Sequence, residues 1–316
     1  GGICTRHALA VDIGGTEIKY GIIDENGKIE YNGRIATDAH KGKIHLINKL
    51  EGIMSNMLEI SPKPAGIGIS TAGQVDKGLS FVRQATENLS NWTGVHLKSI
   101  LEEQFGFPVW VENDVNAAAL GEAWLGSGKN REDIVMITLG TGIGGAMVKD
   151  GNVYRGINGA AGEFGHIRLY RDGLACTCGL SGCYEQYAST GALVRKIKSA
   201  LEQDTTSMLH RVSKLNGETI FQAERKGDML AHEVISDWIY HIAWGLSMII
   251  HCLNPELIII GGGISREGEY LVGRIRREVM KMIMQSFADG LEIVPAMLSN
   301  DAGIIGAARI VLQNTN

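Results

Sequence analysis

Residues 8–16 read ALAVDIGGT, and residues 134–145 read IVMITLGTGIGG. Each is an apolar run of strand length that ends in a glycine turn. After the first turn Lys19–Asp24 resumes as a strand, and after the second Ala146–Lys149 does the same. Asn26-Gly27 and Asp150-Gly151 then close hairpins, because both dipeptides accept positive φ. Two strand–turn–strand units of one kind point to a duplicated α/β architecture with a phosphate clamped between halves. Glycines after a strand let backbone N–H groups approach an anion with no side chain in the way.

The alternation of strand and helix continues outward from these two units. A helical stretch near Lys43–Glu59 precedes Pro62 and Pro64, and Ala65–Ile69 is an apolar run that ends in Ser70-Thr71-Ala72-Gly73. Leu97–Phe105 reads as helix, and Val109–Val111 as a short strand that ends at Asn113-Asp114. Leu257–Ile260 is a buried strand opening onto Gly261-Gly262-Gly263, with a helix expected to follow. The most apolar segment, Ile235–Ile264, is broken by Asp237, His241, His251, Asn254 and Pro255. It reads as a buried helix and then a strand, and no membrane span is expected.

The 316 residues are enough for two domains, with 44% hydrophobic and 21% charged residues, an ordinary globular balance. The 42 glycines are the outlier and imply many tight turns or close approaches of backbone. A net charge of −5 gives no electrostatic reason to expect a nucleic-acid partner. No basic and then apolar leader opens the chain, so a cytoplasmic location is expected. Gly1–Cys4 are set aside.

Thr16 and Thr141 add hydroxyl donors to the two turns, and Asp12 suits a carboxylate that holds Mg²⁺ against nucleotide phosphates. Neither turn is a Walker or Rossmann motif, so each alone reads equally as a hairpin turn. Asp114 is open to two readings: a base that takes the proton of an attacking hydroxyl, or the cap of the helix that starts there. Asn113 can donate and accept bonds to neighbouring hydroxyls. Glu163, His166 and Glu185 form a second polar cluster able to surround a sugar, or else a set of solvated loop charges. Cys176, Cys178 and Cys183 make a C-x-C-x4-C knuckle with His166 ten residues upstream. Three thiolates and one imidazole close a tetrahedral zinc shell, which is a structural site, since no position is left for water. Cys252 reads as a buried structural thiol.

Together these residues resemble the ROK family of sugar kinases and sugar-responsive repressors. The resemblance runs through Asp12-Ile-Gly-Gly-Thr, Ser70-Thr-Ala-Gly, Glu112-Asn-Asp, Gly140-Thr-Gly-Ile-Gly-Gly, Gly162-Glu-Phe-Gly-His, the cysteine knuckle with Glu185, Ile260-Gly-Gly-Gly and Asn300-Asp-Ala-Gly. It implies the actin-like ATPase (ribonuclease H-like) fold, α/β, with two α/β domains around a central cleft. Residues 1–114 and a C-terminal helix near 302–316 would form the small domain, and 115–301 the large one with the zinc loop. It implies Asp114 as base and Ser70, Gly73, Asn113, Asp114, Glu163, His166 and Glu185 around the sugar. Asp12, Gly14, Gly15, Thr16, Gly140, Thr141, Gly142, Gly144 and Gly261–Gly263 would hold MgATP, and His166 with the three cysteines Zn²⁺. The expected activity is ATP-dependent phosphorylation of glucose or N-acetylmannosamine, at C6, by a homodimer. A β-glucoside kinase and a sugar-sensing regulator are the alternatives. Repressors of the family carry an added helix-turn-helix domain, for which the early Asp12 turn leaves no room.

Overall fold

The computed structural model describes residues 5–316; Cys4, the residues before it and the side chain of Ser90 lie outside the described residues. Strand β1 (His7–Ile13) alternates Leu9, Val11 and Ile13 with Ala8 and Ala10, and all five are fully buried. A strand without an exposed face must be covered on both sides. Strand β2 (Glu17–Asp24) follows antiparallel to it and β3 (Ile29–Ala36) antiparallel to β2, with Gly27 at φ 86° in the connection. Helix α1 (Lys43–Ile60) leads to β4 (Gly66–Thr71), which lies parallel to β1. The short pair β5 (Gln74–Val75) and β6 (Val82–Gln84), helix α2 (Leu97–Phe105), β7 (Val109–Asn113) and α3 (Asp114–Leu125) complete this half. The sheet order is β3-β2-β1-β4-β7. Leu9, Val11 and Ile13 share one core with Leu50, Met54 and Met57 of α1 and with Leu97 and Leu101 of α2.

The second half repeats the scheme. Strands β8 (Asp133–Leu139), β9 (Ile143–Lys149) and β10 (Asn152–Val153) are followed by α4 (Glu185–Ala188), α5 (Thr190–Leu201), α6 (Gly217–Arg225) and the long α7 (Met229–Leu253). Next come β11 (Leu257–Gly261), α8 (Glu269–Met280), α9 (Gln285–Ala288), β12 (Glu292–Pro295) and α10 (Ala302–Asn314). The order β10-β9-β8-β11-β12, with β8, β11 and β12 parallel, matches the first sheet strand for strand. Among the described residues no helix is long and apolar enough to cross a membrane, α7 included.

Helix α10 covers the small-residue face of the first sheet, packing Ile304, Ala307, Ala308 and Val311 on Ala8 and Ala10. Here many of the glycines find their use, and it is packing of backbone on backbone. A Cβ on Gly68 would run into the Ala307 carbonyl, one on Gly121 into the Ala302 carbonyl, and one on Gly306 into the Ala117 carbonyl. The turn before α10 is held by Glu122, fully buried, whose Oε1 accepts the N–H groups of Met297 and Leu298, each at 2.7 Å.

By contact the chain forms two compact units: Gly1–Glu132 with Ala146–Ala161 and Met297–Asn316, and Asp133–Gly145 with Gly162–Ala296. The sequence reading puts the division at Asp114; the contacts put it after Glu132, because α3 lies directly on α10. Replacing Gly306 by Ala forces two helix backbones apart, so we expect stability lower by about 1–3 kcal/mol, the usual cost of overpacking a core. Chemical denaturation of the two proteins measures this.

Candidate active site

In the first unit, parallel pairing puts Ser70 of β4 beside Asp12 of β1, and the Ser70 hydroxyl donates to Asp12 Oδ1 at 2.8 Å. Ser70 is fully buried, so its partner here is Asp12 and not an open acceptor site. Gly303, in the first turn of α10, sits so close to the Asp12 carboxylate that any side chain there would overlap it. Burial raises the Asp12 carboxyl above its ordinary pKa, against the opposing pull of the Ser70 hydroxyl and the Lys19 ammonium. The turn beside it is tight: Gly14 N–H donates to Glu17 O at 3.0 Å, Thr37 Oγ1 donates to Gly14 O at 2.7 Å, and Gly15 lies against Asn88. Thr16 is exposed at its tip.

The Glu112-Asn113-Asp114 run carries the join of β7 to α3. The cap of α3 is Asn113, whose Oδ1 accepts the N–H groups of Val115 at 2.9 Å and Asn116 at 3.1 Å. Its Nδ2 donates to the carbonyl of Gly73 at 2.7 Å. Gly73 is at φ 100°, a conformation that glycine takes without strain. Capping is therefore the work of Asn113, and Asp114 is the first residue of the helix, its Oδ1 accepting from Val115 N–H at 2.9 Å. Glu112, only 1% exposed, holds this join from below. Its Oε2 accepts from Arg155 Nη2 at 2.6 Å and Nε at 3.1 Å, and its Oε1 from Asn113 N–H and Asn116 Nδ2. Arg155 was not singled out in the sequence; it lies in a loop with no periodicity to announce it.

In the second unit Glu163, His166 and Glu185 do come together. His166 Nε2 is 3.8 Å from Glu163 Oε2 and 4.0 Å from Glu185 Oε1. Glu185 Oε1 also accepts from Ile143 N–H at 3.2 Å, and the absence of side chains at Gly142 and Gly165 makes room for that carboxylate. The other ring nitrogen of His166, Nδ1, is 3.7 Å from Cys176 Sγ, and Cys178 and Cys183 Sγ are 3.6 Å apart. All four candidate donor atoms lie within 4.8 Å of one another. A tetrahedral zinc with Zn–S bonds near 2.3 Å has ligand–ligand edges of about 3.8 Å, so the donor set fits such an ion. Burial pushes the Cys176 thiol up, but hydrogen bonds from the Cys178 backbone, Gln186 and the neighbouring thiols outweigh it and bring it down to about 7. Burial, with the Cys178 and Cys176 thiols beside it, pushes Cys183 up to about 12. Cys252, expected buried, is exposed near the end of α7, where the helix leaves the core.

Gly140, Thr141 and Gly263 line a cavity of about 750 Å³ together with Gly191, Asn216 and Arg225. The other two glycines of the triple do not line it: Gly261 ends β11 against Met136, and Gly262, at φ 90°, packs on Leu139. Asn216 closes a capping box with Thr219 at the start of α6, a signal the sequence held and that was not used. The cavity is large enough for a nucleotide.

Two sheets of one strand order, each with a glycine turn after its first strand, are the actin-like α/β frame. The ROK family pattern matches residues 8–314. A glucokinase of Thermotoga maritima is 37% identical over 311 residues, 96% of this chain and 97% of that protein. The crystal structure of a ROK family glucokinase from Streptomyces griseus in complex with glucose and AMPPNP is 35% identical with a TM-score of 0.82, covering 98% of this chain and 100% of that one. The xylose repressor of Bacillus spizizenii is 28% identical over 311 residues, 98% of this chain and 77% of the repressor. The chain belongs to the ROK family, and it is an enzyme of that family's sugar-kinase branch.

The raised pKa of Asp12 has a consequence for stability. A carboxyl whose folded pKa lies above its unfolded value disfavours the fold once pH exceeds the unfolded value, because the folded state must then carry an ill-solvated charge. Asp12→Asn keeps an acceptor for Ser70 and removes that charge. At pH 7 without divalent ions its Tm should rise, and the difference should shrink as pH falls toward the ordinary carboxylate range. An unchanged or lower Tm at pH 7 refutes the burial argument.

Proposed function

We propose that the chain transfers the γ-phosphoryl group of MgATP to the C6 hydroxyl of a hexose or N-acetylhexosamine, glucose and N-acetylmannosamine being the first candidates. The observation that carries this is the division of labour at the head of α3. Asn113 supplies the cap, Glu112 and Arg155 brace the join, and Asp114 stands at the first helical position, where it would act as base. Glucose is favoured by the glucokinase relatives named above.

Catalysis is then mostly positioning and charge stabilisation, with Asp114 accepting the hydroxyl proton late in transfer. Asn113 and Gly73 set the acceptor side in the first unit, and Glu163, His166 and Glu185 contact sugar hydroxyls in the second. Asp12 holds Mg²⁺, directly or through water, while the Gly14–Thr16 and Gly140–Thr141 turns offer N–H donors to phosphates. The adenosine occupies the cavity beside Gly263. Cys176, Cys178, Cys183 and His166 Nδ1 would hold zinc, which would supply no reaction chemistry and would fix the ring of His166. His166 Nε2 faces Glu163 and Glu185, so a metal on Nδ1 would order the sugar cluster from behind. A cytoplasmic homodimer without nucleic-acid or membrane partners completes the reading.

The sensing alternative draws on the xylose repressor relative, and one assay separates the readings. ADP release from MgATP is followed with glucose, N-acetylmannosamine, N-acetylglucosamine, fructose and a β-glucoside. Rapid turnover on one sugar is expected, falling about 10²–10⁴-fold in Asp114→Asn, the usual worth of a general base, with sugar affinity kept within a few-fold. Tight sugar binding with no turnover above the Asp114→Asn control moves the sensing reading ahead. Stripping zinc, or Cys178→Ser, should weaken sugar binding about 10–100-fold, as loss of a supporting shell does. Full affinity in protein shown metal-free by elemental analysis removes zinc from the site.

A further inference from the structure

A cavity of about 450 Å³ opens on the first unit near the C-terminal end of α3, with Arg309 of α10 on its wall. Arg309 is half-buried and lies over the Trp124 ring, 4.9 Å from its centroid. Among the described residues its guanidinium has no hydrogen-bond or ion-pair partner. A charged group withdrawn from water is normally paired, and burial already pulls its pKa below the ordinary guanidinium value. Lys129, exposed, stands on the rim of the same cavity. Among the described lining residues Glu25 is the one carboxylate, and Arg6 Nε draws on it at 3.6 Å. The walls therefore present two cations whose charge no acid of the cavity neutralises. Leu125 offers apolar surface and Asn26 a side-chain amide beside them.

We propose that this cavity binds a small phosphate monoester, the phosphate between Arg309 and Lys129 and the body of the molecule over Leu125 beside Asn26. A phosphate monoester near neutral pH carries between one and two negative charges on three acceptor oxygens, which matches two cations better than a single carboxylate does. The planar guanidinium fork can take two of those oxygens while its face stays on Trp124. Nothing in this pairing draws on Asp12, Asp114 or the glycine turns, so the site is separate from the one that would hold ATP.

The test is calorimetric titration and thermal shift of the full chain with glycerol 3-phosphate and, in parallel, inorganic phosphate. Saturating Mg–AMPPNP is present throughout, so that the phosphate-binding turns are filled. Glycerol 3-phosphate should bind and raise Tm, since a ligand of the native state alone stabilises it. Arg309→Gln and Lys129→Gln should each weaken that binding tenfold or more, as loss of a charged hydrogen-bond partner does. Lys129 is at the surface, so its variant tests the site even where the Arg309 variant folds poorly. Equal affinity for the two ligands, still lost in the variants, assigns the same site to free phosphate. Absence of binding, or affinity unchanged in both variants, overturns the proposal. The readout is binding and stands apart from whether any sugar is turned over.

Discussion

Helices α3 and α10 meet backbone against backbone at two glycines, and the first unit is organised around that contact. The bare positions are Gly121 on one helix and Gly306 on the other, each facing a carbonyl of its partner. Close approach of this kind fixes both the separation and the rotation of the helices, because there is no flexible side chain to absorb a shift. Each helix begins at a carboxylate of the proposed site. The first residue of α3 is Asp114, and the first turn of α10 lies against Asp12 through Gly303. A rigid crossing between two helices is thus also a rigid placement of two acids.

Buried charge does a related job at the two ends of α3. Glu112 precedes the helix and Glu122 lies within it, and both are almost wholly enclosed. A paired buried carboxylate gives little net stability, but leaving one unpaired is costly. Each therefore selects a single arrangement of its partners. Glu112 holds Arg155 and the Asn113 backbone, and Glu122 holds the turn that leads into α10. What these residues contribute is position, at the two places where α3 must be held still.

Much of this was legible in the sequence, and for definite reasons. The strands that are apolar on both faces read as buried runs, the dipeptides Asn26-Gly27 and Asp150-Gly151 read as hairpins, and α1 and α2 appear over nearly the residues their periodicity implies. The spacing of the cysteines brought His166 and the knuckle into one cluster because both lie on short connected turns. Three things were not legible. Tertiary packing of helix on helix leaves no local pattern, so the partners that Gly121 and Gly306 meet could not be read from the chain. The Glu112–Arg155 pair joins positions 43 residues apart in the chain, and neither has a periodic neighbour. The exposure of Cys252 depends on where α7 leaves the core, which its apolar composition obscured.

The two nitrogens of His166 show why the structural and chemical halves of the second unit cannot be varied separately. One faces the thiol cluster and the other faces two carboxylates. An imidazole held at Nδ1 has its ring plane and its tautomer set, with the remaining proton on Nε2. With a metal on Nδ1, the Nε2 nitrogen would carry the proton and face Glu163 and Glu185. Glu185 in turn takes the Ile143 N–H of the second glycine turn. A disturbance at the cysteines would therefore pass through one ring and one carboxylate into the backbone of the second glycine turn. The path runs through His166 and Glu185 alone, so a metal held by the cysteines and His166 would steady this loop as well as the knuckle.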